Sequence, residues 1–213
     1  MSGVFHFKKL AIDIPVSAYS LMTTILHDLE KHDLSTKNHC VRVGDMSLEL
    51  SQNLNLNHSL QAVCYYSGLL HDIGKLKIST EILNKPSRLT DDEYVTMKKH
   101  TDFGVELLQP LQDIQFFKEV RRAIQYHHER VDGNGYCGLS AAEIPLVSKI
   151  ILVVDTVDAM TEDRAYRKGL SFHTACEELI RCSGTQFDPA IVDCFLQNLD
   201  QNKIFTGPLK KAS

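Results

Sequence analysis

SLQAVCYYSGLLHDIGK, Ser59 to Lys75, predicts a helix over about 59–70 that stops near Gly74, a glycine suited to follow a helix C-terminus. His71 and Asp72 then fall in its last turn, an imidazole beside a carboxylate at the end of an apolar run. Outward from this stretch, apolar residues recur mostly at helical spacing, and long alternating strand patterns are missing. The expected fold class is therefore all-α, with strands minor.

Upstream, helices are predicted over about 16–32 and 36–53. The second draws its apolar surface from Val41, Val43, Met46, Leu48 and Leu50, and Asn55 and Asn57 favour a turn after it. Downstream, Thr90-Asp91-Asp92-Glu93 fits a capping box, so a helix should run over about 91–108, with His100 in its middle and Pro110 limiting it. Another helix, over about 113–128, delivers the adjacent His127 and His128, and the glycine-rich turn of HHERVDGNGYCG, 127–138, follows. Pro145 opens the apolar run PLVSKIILVVDTVDAM, whose only acids are Asp155 and Asp158. Asp188-Pro189 reads as an N-cap followed by proline at the first helical position. No repeat or low-complexity linker divides the chain. The expected organisation is an N-terminal helical segment over 1–34, a catalytic core over 35–205 and a tail over 206–213.

A chain of 213 residues can bury a substantial core as one domain. Its formal net charge of -4 supplies no basic stripe for a phosphate backbone, which argues against nucleic-acid polymers as partners and leaves room for a small anionic ligand. Six cysteines without a C-x-x-C pair read as reduced thiols, and so as a cytoplasmic location. The N-terminal stretch lacks the long apolar run of a signal peptide, being interrupted by Asp13 and Pro15, and no run reaches the length of a membrane span.

The chemical anomaly is a set of imidazoles and carboxylates at helix ends and on apolar helices: His39, His71, Asp72, His100, His127, His128 and Asp155. A charge such as Asp155 is costly to bury unpaired, and a metal centre resolves that cost. Five imidazoles and two carboxylates are too many for one tetrahedral zinc ion but suit two octahedral ions bridged by a carboxylate, iron or manganese by preference. Each residue also has a plainer reading. A lone His100 is more often a hydrogen-bonded core or surface histidine, Asp155 could pair with Lys75 or Arg164, and Asp-Gly and Asn-Gly are ordinary turn dipeptides. The remaining histidines, His6, His27, His32, His58 and His173, take only that plainer reading.

Four blocks in order, HDIGK at 71–75, LNKPSRLTDDEYVTMKKH ending at His100, HHERVDGNGYCG, and VVDTVDAMTEDRAYR, resemble the HD-GYP family of metal-dependent cyclic-dinucleotide phosphodiesterases over about 35–198. The resemblance implies an HD-domain helical bundle with two divalent metal ions, one held by His39, His71, Asp72 and Asp155 and the other by Asp72, His100, His127 and His128, with Asp72 bridging. It implies that a bridging hydroxide attacks phosphorus in line and linearises cyclic di-GMP or cyclic GMP-AMP. Lys75 matches the family lysine that neutralises the scissile phosphate, and Asp158 is expected to orient it. Tyr136, Arg164 and Arg167 match positions near the ligand.

Two departures stand out. Gly135-Tyr136-Cys137 replaces the family's Gly-Tyr-Pro, which removes a fixed φ and predicts a more mobile loop. Ser35, in Ser35-Thr36-Lys37-Asn38-His39, stands where the resemblance puts a glutamate in three-metal members, so two metals are expected, with the linear pGpG as the product ahead of GMP, which stays open as a second product. Rival readings are a domain that binds a ligand or partner protein without turnover, and a nucleotide phosphohydrolase of the wider HD superfamily. Regulation is expected from partner proteins, from the metal's redox state or from a homodimer contact through the N-terminal segment.

Overall fold

The structure is a computed structural model that describes residues 7–8, 10, 12–163 and 168–198. Arg164, Arg167 and the expected tail over 206–213 lie outside the described residues. Among the described residues the chain is built of helices, with no strand beyond an isolated bridge between Ser183 and Phe187. Among the described residues no helix is long and apolar enough to cross a membrane, and all six cysteines are free thiols.

Two helices form the centre. Helix α3 (His58–Leu70) is buried without interruption from Ala62 to Leu70, and α8 (Leu146–Thr161) is buried through Ile150, Ile151, Leu152, Val153 and Val154. A helix apolar on every side must be surrounded by others, and these two are. Helix α2 (Leu34–Asn53) packs on both, α7 (Gln115–Gln125) packs on α3, and Ser148 Oγ of α8 donates to Ala123 O of α7 at 2.9 Å. Helix α1 (Val16–His32) buries the single stripe Ala18, Met22, Ile25, Leu26 and Leu29 into the same core, packing on α2. The predicted caps are present. Asn57 caps α3, Asp188 caps α10 (Pro189–Gln197) with Pro189 in its first turn, and Thr90 and Glu93 make a reciprocal capping box on α5 (Asp91–Lys98). The short α4 (Thr80–Leu83) precedes α5, and α9 (Phe172–Arg181), capped by Ser171, has no counterpart among the sequence expectations.

Three expectations need correction. Gly74 does not end α3 in a left-handed turn: α3 stops at Leu70, and Gly74 lies inside a 3₁₀ turn, Ile73–Lys77. Its missing side chain serves close packing, since a Cβ there would lie 1.9 Å from His100 O and 2.5 Å from Gly104 N. The helix over 91–108 is two, α5 and α6 (His100–Leu107), broken at Lys99, so His100 begins a helix instead of sitting within one. Helix α7 ends at Gln125, and His127 and His128 lie in the turn beyond it.

Candidate metal centre

A helix leaves its last carbonyls without amide partners. At three helix ends here a histidine fills one of those vacancies. His71 Nδ1 meets Gly68 O at 2.7 Å after α3, His100 Nδ1 meets Met97 O at 2.8 Å after α5, and His127 Nδ1 meets Ile124 O at 2.7 Å after α7. A carbonyl can only accept, so each Nδ1 carries a proton and each Nε2 is left to face the cluster. The His100 contact lies directly beside the break at Lys99.

Those Nε2 atoms converge. His100 Nε2 and His127 Nε2 are 3.3 Å apart, and His71 Nε2 is buried without a hydrogen-bond partner among the described residues. His128, with its ring centre 4.1 Å from that of His127 and 5.1 Å from that of His100, completes the group. Adjacent residues reach one point because they sit in a turn, where the 100° separation of a helix does not apply. Asp72 lies at the centre, with Oδ1 3.3 Å from His100 Nε2 and Oδ2 3.4 Å from His71 Nε2 and 3.7 Å from His39 Nε2. Asp155 Oδ1 lies 3.0 Å from His39 Nε2 and 3.7 Å from His71 Nε2.

The electrostatics divide the cluster in two. Burial pushes His100 and His127 below the ordinary imidazole range, and burial with the neighbouring His100 pushes His128 down to about 3, so this half is neutral. On the other side burial works against charge, but the carboxylates win. Asp155 and Asp158 raise His39, Asp72 and Asp155 raise His71, and Lys75 with His71 holds Asp72 well below the usual carboxylate range. Facing lone pairs in one half and carboxylates packed among imidazoles in the other are a donor set that divalent cations fit. Groups of three that could each hold an ion are His100, His127 and His128; His39, His71 and Asp72; and His71, His127 and Asp155. All seven expected ligands are thus brought together.

Asp158 does not orient Lys75. It follows Asp155 by one turn of α8 and meets residues one turn apart on α2, accepting from His39 Nδ1 at 2.6 Å and from Arg42 Nε and Nη2 at 2.7 and 2.9 Å. Lys75 Nζ instead pairs with Asp72, which raises its pKa despite burial. Arg42, absent from the sequence-based candidates, also reaches Glu162 at 2.8 Å. Its signal was available as H-x-x-R on one helix against D-x-x-D on another.

Glu129 is the second residue the sequence reading missed. It is 1% exposed, and its carboxylate accepts from Cys137 N at 2.5 Å and Leu139 N at 2.7 Å, folding the glycine-rich loop back on itself. A Cβ at Gly135 would lie 2.6 Å from Glu129 Cα, which explains the glycine there. Proline has no amide to give, so at position 137 the lost ring restriction is offset by a hydrogen bond, and the expectation of a looser loop gives way to a differently tied one. The loop sets the Tyr136 ring 4.5 Å from that of His128, with Lys98 Nζ 5.2 Å from the Tyr136 ring centre.

Above the cluster opens a cavity of about 740 Å³ lined by His39, Asp72, His100, His128 and Asp155 at the metal-ligand side, by Lys75 and Tyr136, and by the loop from Asn84 to Leu89. Ser35 stands at its edge, its amide donating to Asp33 Oδ1 at 3.1 Å.

The family model described as HD domain matches residues 21–191. The chain is 35% identical over 170 residues to a cyclic di-GMP phosphodiesterase of Pseudomonas aeruginosa, covering 79% of this chain and 40% of that one. It is 31% identical over 204 residues to 3'3'-cGAMP-specific phosphodiesterase 1 of Vibrio cholerae, covering 94% of this chain and 46% of the relative. It thus spans less than half the length of these curated relatives. In fold it is similar to an HDG"Y"P protein from Bdellovibrio bacteriovorus, with a TM-score of 0.63 at 16% identity over 91% of this chain and 75% of that one.

Proposed function

Since the chain belongs to the HD domain family, we propose that it is a metal-dependent phosphodiesterase opening cyclic di-GMP, or a related 3′,3′-cyclic dinucleotide such as cyclic GMP-AMP, to a linear dinucleotide. The observation that carries the reading is the set of Nε2 atoms converging around a central Asp72 on the floor of a cavity with Lys75 and Tyr136 in its wall. The names of the relatives support the substrate class.

His39, His71, Asp72 and Asp155 would hold one divalent ion, and Asp72, His100, His127 and His128 a second, iron by preference and manganese in its place. When bound, such ions activate water and polarise a phosphoryl oxygen. The chain's own groups do the rest. Lys75, held cationic beside Asp72, offsets the negative charge that grows on the phosphoryl oxygens in the transition state. Asp158, braced by Arg42, keeps the proton on His39 Nδ1 and so turns Nε2 inward. Tyr136 offers a ring against which a base can lie. Arg164 and Arg167 are sequence-based candidates for contacts with phosphate or guanine. Ser35, in place of a third-metal glutamate, supports pGpG as the product.

The test is turnover of cyclic di-GMP by the metal-loaded chain beside His71→Ala and Asp72→Ala, with circular dichroism to check the fold. The reading expects cleavage that falls at least about 10³-fold in both folded variants. Cleavage that persists in Asp72→Ala, or binding without cleavage by the parent chain, would overturn it in favour of a ligand-sensing module.

A further inference from the structure

A cyclic dinucleotide carries two phosphodiesters across its ring, each with a negative charge. Lys75 and the metal centre address the one that is cut. A cation placed to meet the second would add affinity, since a guanidinium–phosphate pair is among the stronger hydrogen bonds.

Four lysine or arginine side chains among the described residues line the cavity: Arg42, Lys75, Lys85 and Arg88. Three are committed. Arg42 is clamped between Asp158 and Glu162 at 2.7 and 2.8 Å, Lys75 is paired with Asp72, and Lys85 lies 2.6 Å from Glu93. Among the described residues Arg88 has neither a hydrogen-bond nor an ion-pair partner, and its side chain is exposed at the cavity wall.

The segment that carries Arg88 is braced at both ends by one carboxylate. Glu93 Oε2 accepts from Lys85 Nζ at 2.6 Å and from Thr90 N at 2.7 Å, and Glu93 N donates back to Thr90 Oγ1 at 3.3 Å. The loop 85–90 is thus closed at its base against the first turn of α5, with Pro86 restricting its backbone and Pro86, Ser87, Arg88 and Leu89 all lining the cavity. A planar guanidinium on a braced loop is suited to bidentate pairing with a phosphodiester, and it enters that pairing without first giving up another partner.

We infer that Arg88 determines specificity by binding the second, uncleaved phosphate of a cyclic dinucleotide, an inference that rests on the substrate class proposed above. The test uses the metal-loaded full chain and compares Arg88→Ala and Arg88→Lys with the parent on cyclic di-GMP and on bis(p-nitrophenyl) phosphate, a diester with one phosphate. Because the side chain is exposed, the variants should fold. Arg88→Ala is expected to raise KM for cyclic di-GMP by about 10- to 100-fold with kcat within about threefold. Arg88→Lys should recover part of that loss, and the effect on the one-phosphate diester should be at least about tenfold smaller. A parent that cleaves cyclic di-GMP while Arg88→Ala keeps its KM would overturn this inference alone. So would equal losses on both substrates. A parent that neither binds nor cleaves cyclic dinucleotides would overturn the substrate class and this inference together.

Discussion

Glu129→Gln should untie the glycine-rich loop while leaving the imidazole anchors in place. The side chain is 1% exposed and accepts two amides, Cys137 N at 2.5 Å and Leu139 N at 2.7 Å. A hydrogen bond to a charged acceptor contributes about 1.5–3 kcal/mol, and a buried donor left unmatched costs about 1–3 kcal/mol. Glutamine keeps one acceptor oxygen and turns an NH₂ group on the other amide, so the expected loss is about 2–3 kcal/mol. Alanine should lose about 3–5 kcal/mol, capped by the energy at which the loop opens and water satisfies both amides. Cys137→Pro should also destabilise, by about 1–2 kcal/mol, because one such bond is lost against a chain-entropy gain of about 0.4–1 kcal/mol. The assay is urea unfolding of the metal-free chain followed by circular dichroism, with hydrogen exchange read at the amides of 137 and 139. An unchanged denaturation midpoint in Glu129→Gln, with both amides as protected as in the parent, would show that Glu129 does not tie the loop.

Gly74→Ala should cost at least about 3 kcal/mol or prevent folding, because its Cβ would fall 1.9 Å from His100 O, and a urea midpoint within error of the parent would contradict this. Asp158→Asn should weaken metal binding about 10- to 100-fold by releasing His39 and Arg42, as measured by competition with a coloured chelator. Metal uptake should release protons, since carboxylates hold His39 and His71 protonated above the ordinary imidazole range and a ligand nitrogen must be bare. Affinity should therefore fall as pH falls through and above that range, and calorimetry in buffers of different ionisation heat should report the protons.

Much of the helix plan was legible because its signals are local. The capping box of Thr90 and Glu93 and the Asp188-Pro189 start need only residues within one turn, and both stand as predicted. Helix α9 carried equally local signals, the Ser171 cap and the buried Ala175, Cys176 and Leu179. Gly74 was misread because a glycine serving a helix end and a glycine serving close packing are the same letter, and the atom it makes room for belongs to His100, far along the chain. The break at Lys99 carries no glycine or proline to mark it in the sequence. The seven ligands were found as residue types out of place, but the helix-end carbonyls that aim His71, His100 and His127 appear only in three dimensions. Glu129 and Arg42 escaped for a related reason, as an acid in a turn and an arginine on a helix look like solvated charges until their partners are known.

Whether these converging nitrogens hold a hydrolytic metal pair is decided by anaerobic purification with metal analysis, followed by chromatography of the products from cyclic di-GMP incubated with iron- and manganese-loaded protein. About two metals per chain, with pGpG appearing and GMP not accumulating, is the predicted result. Metal bound at that level with cyclic di-GMP recovered intact under every metal tested would contradict it.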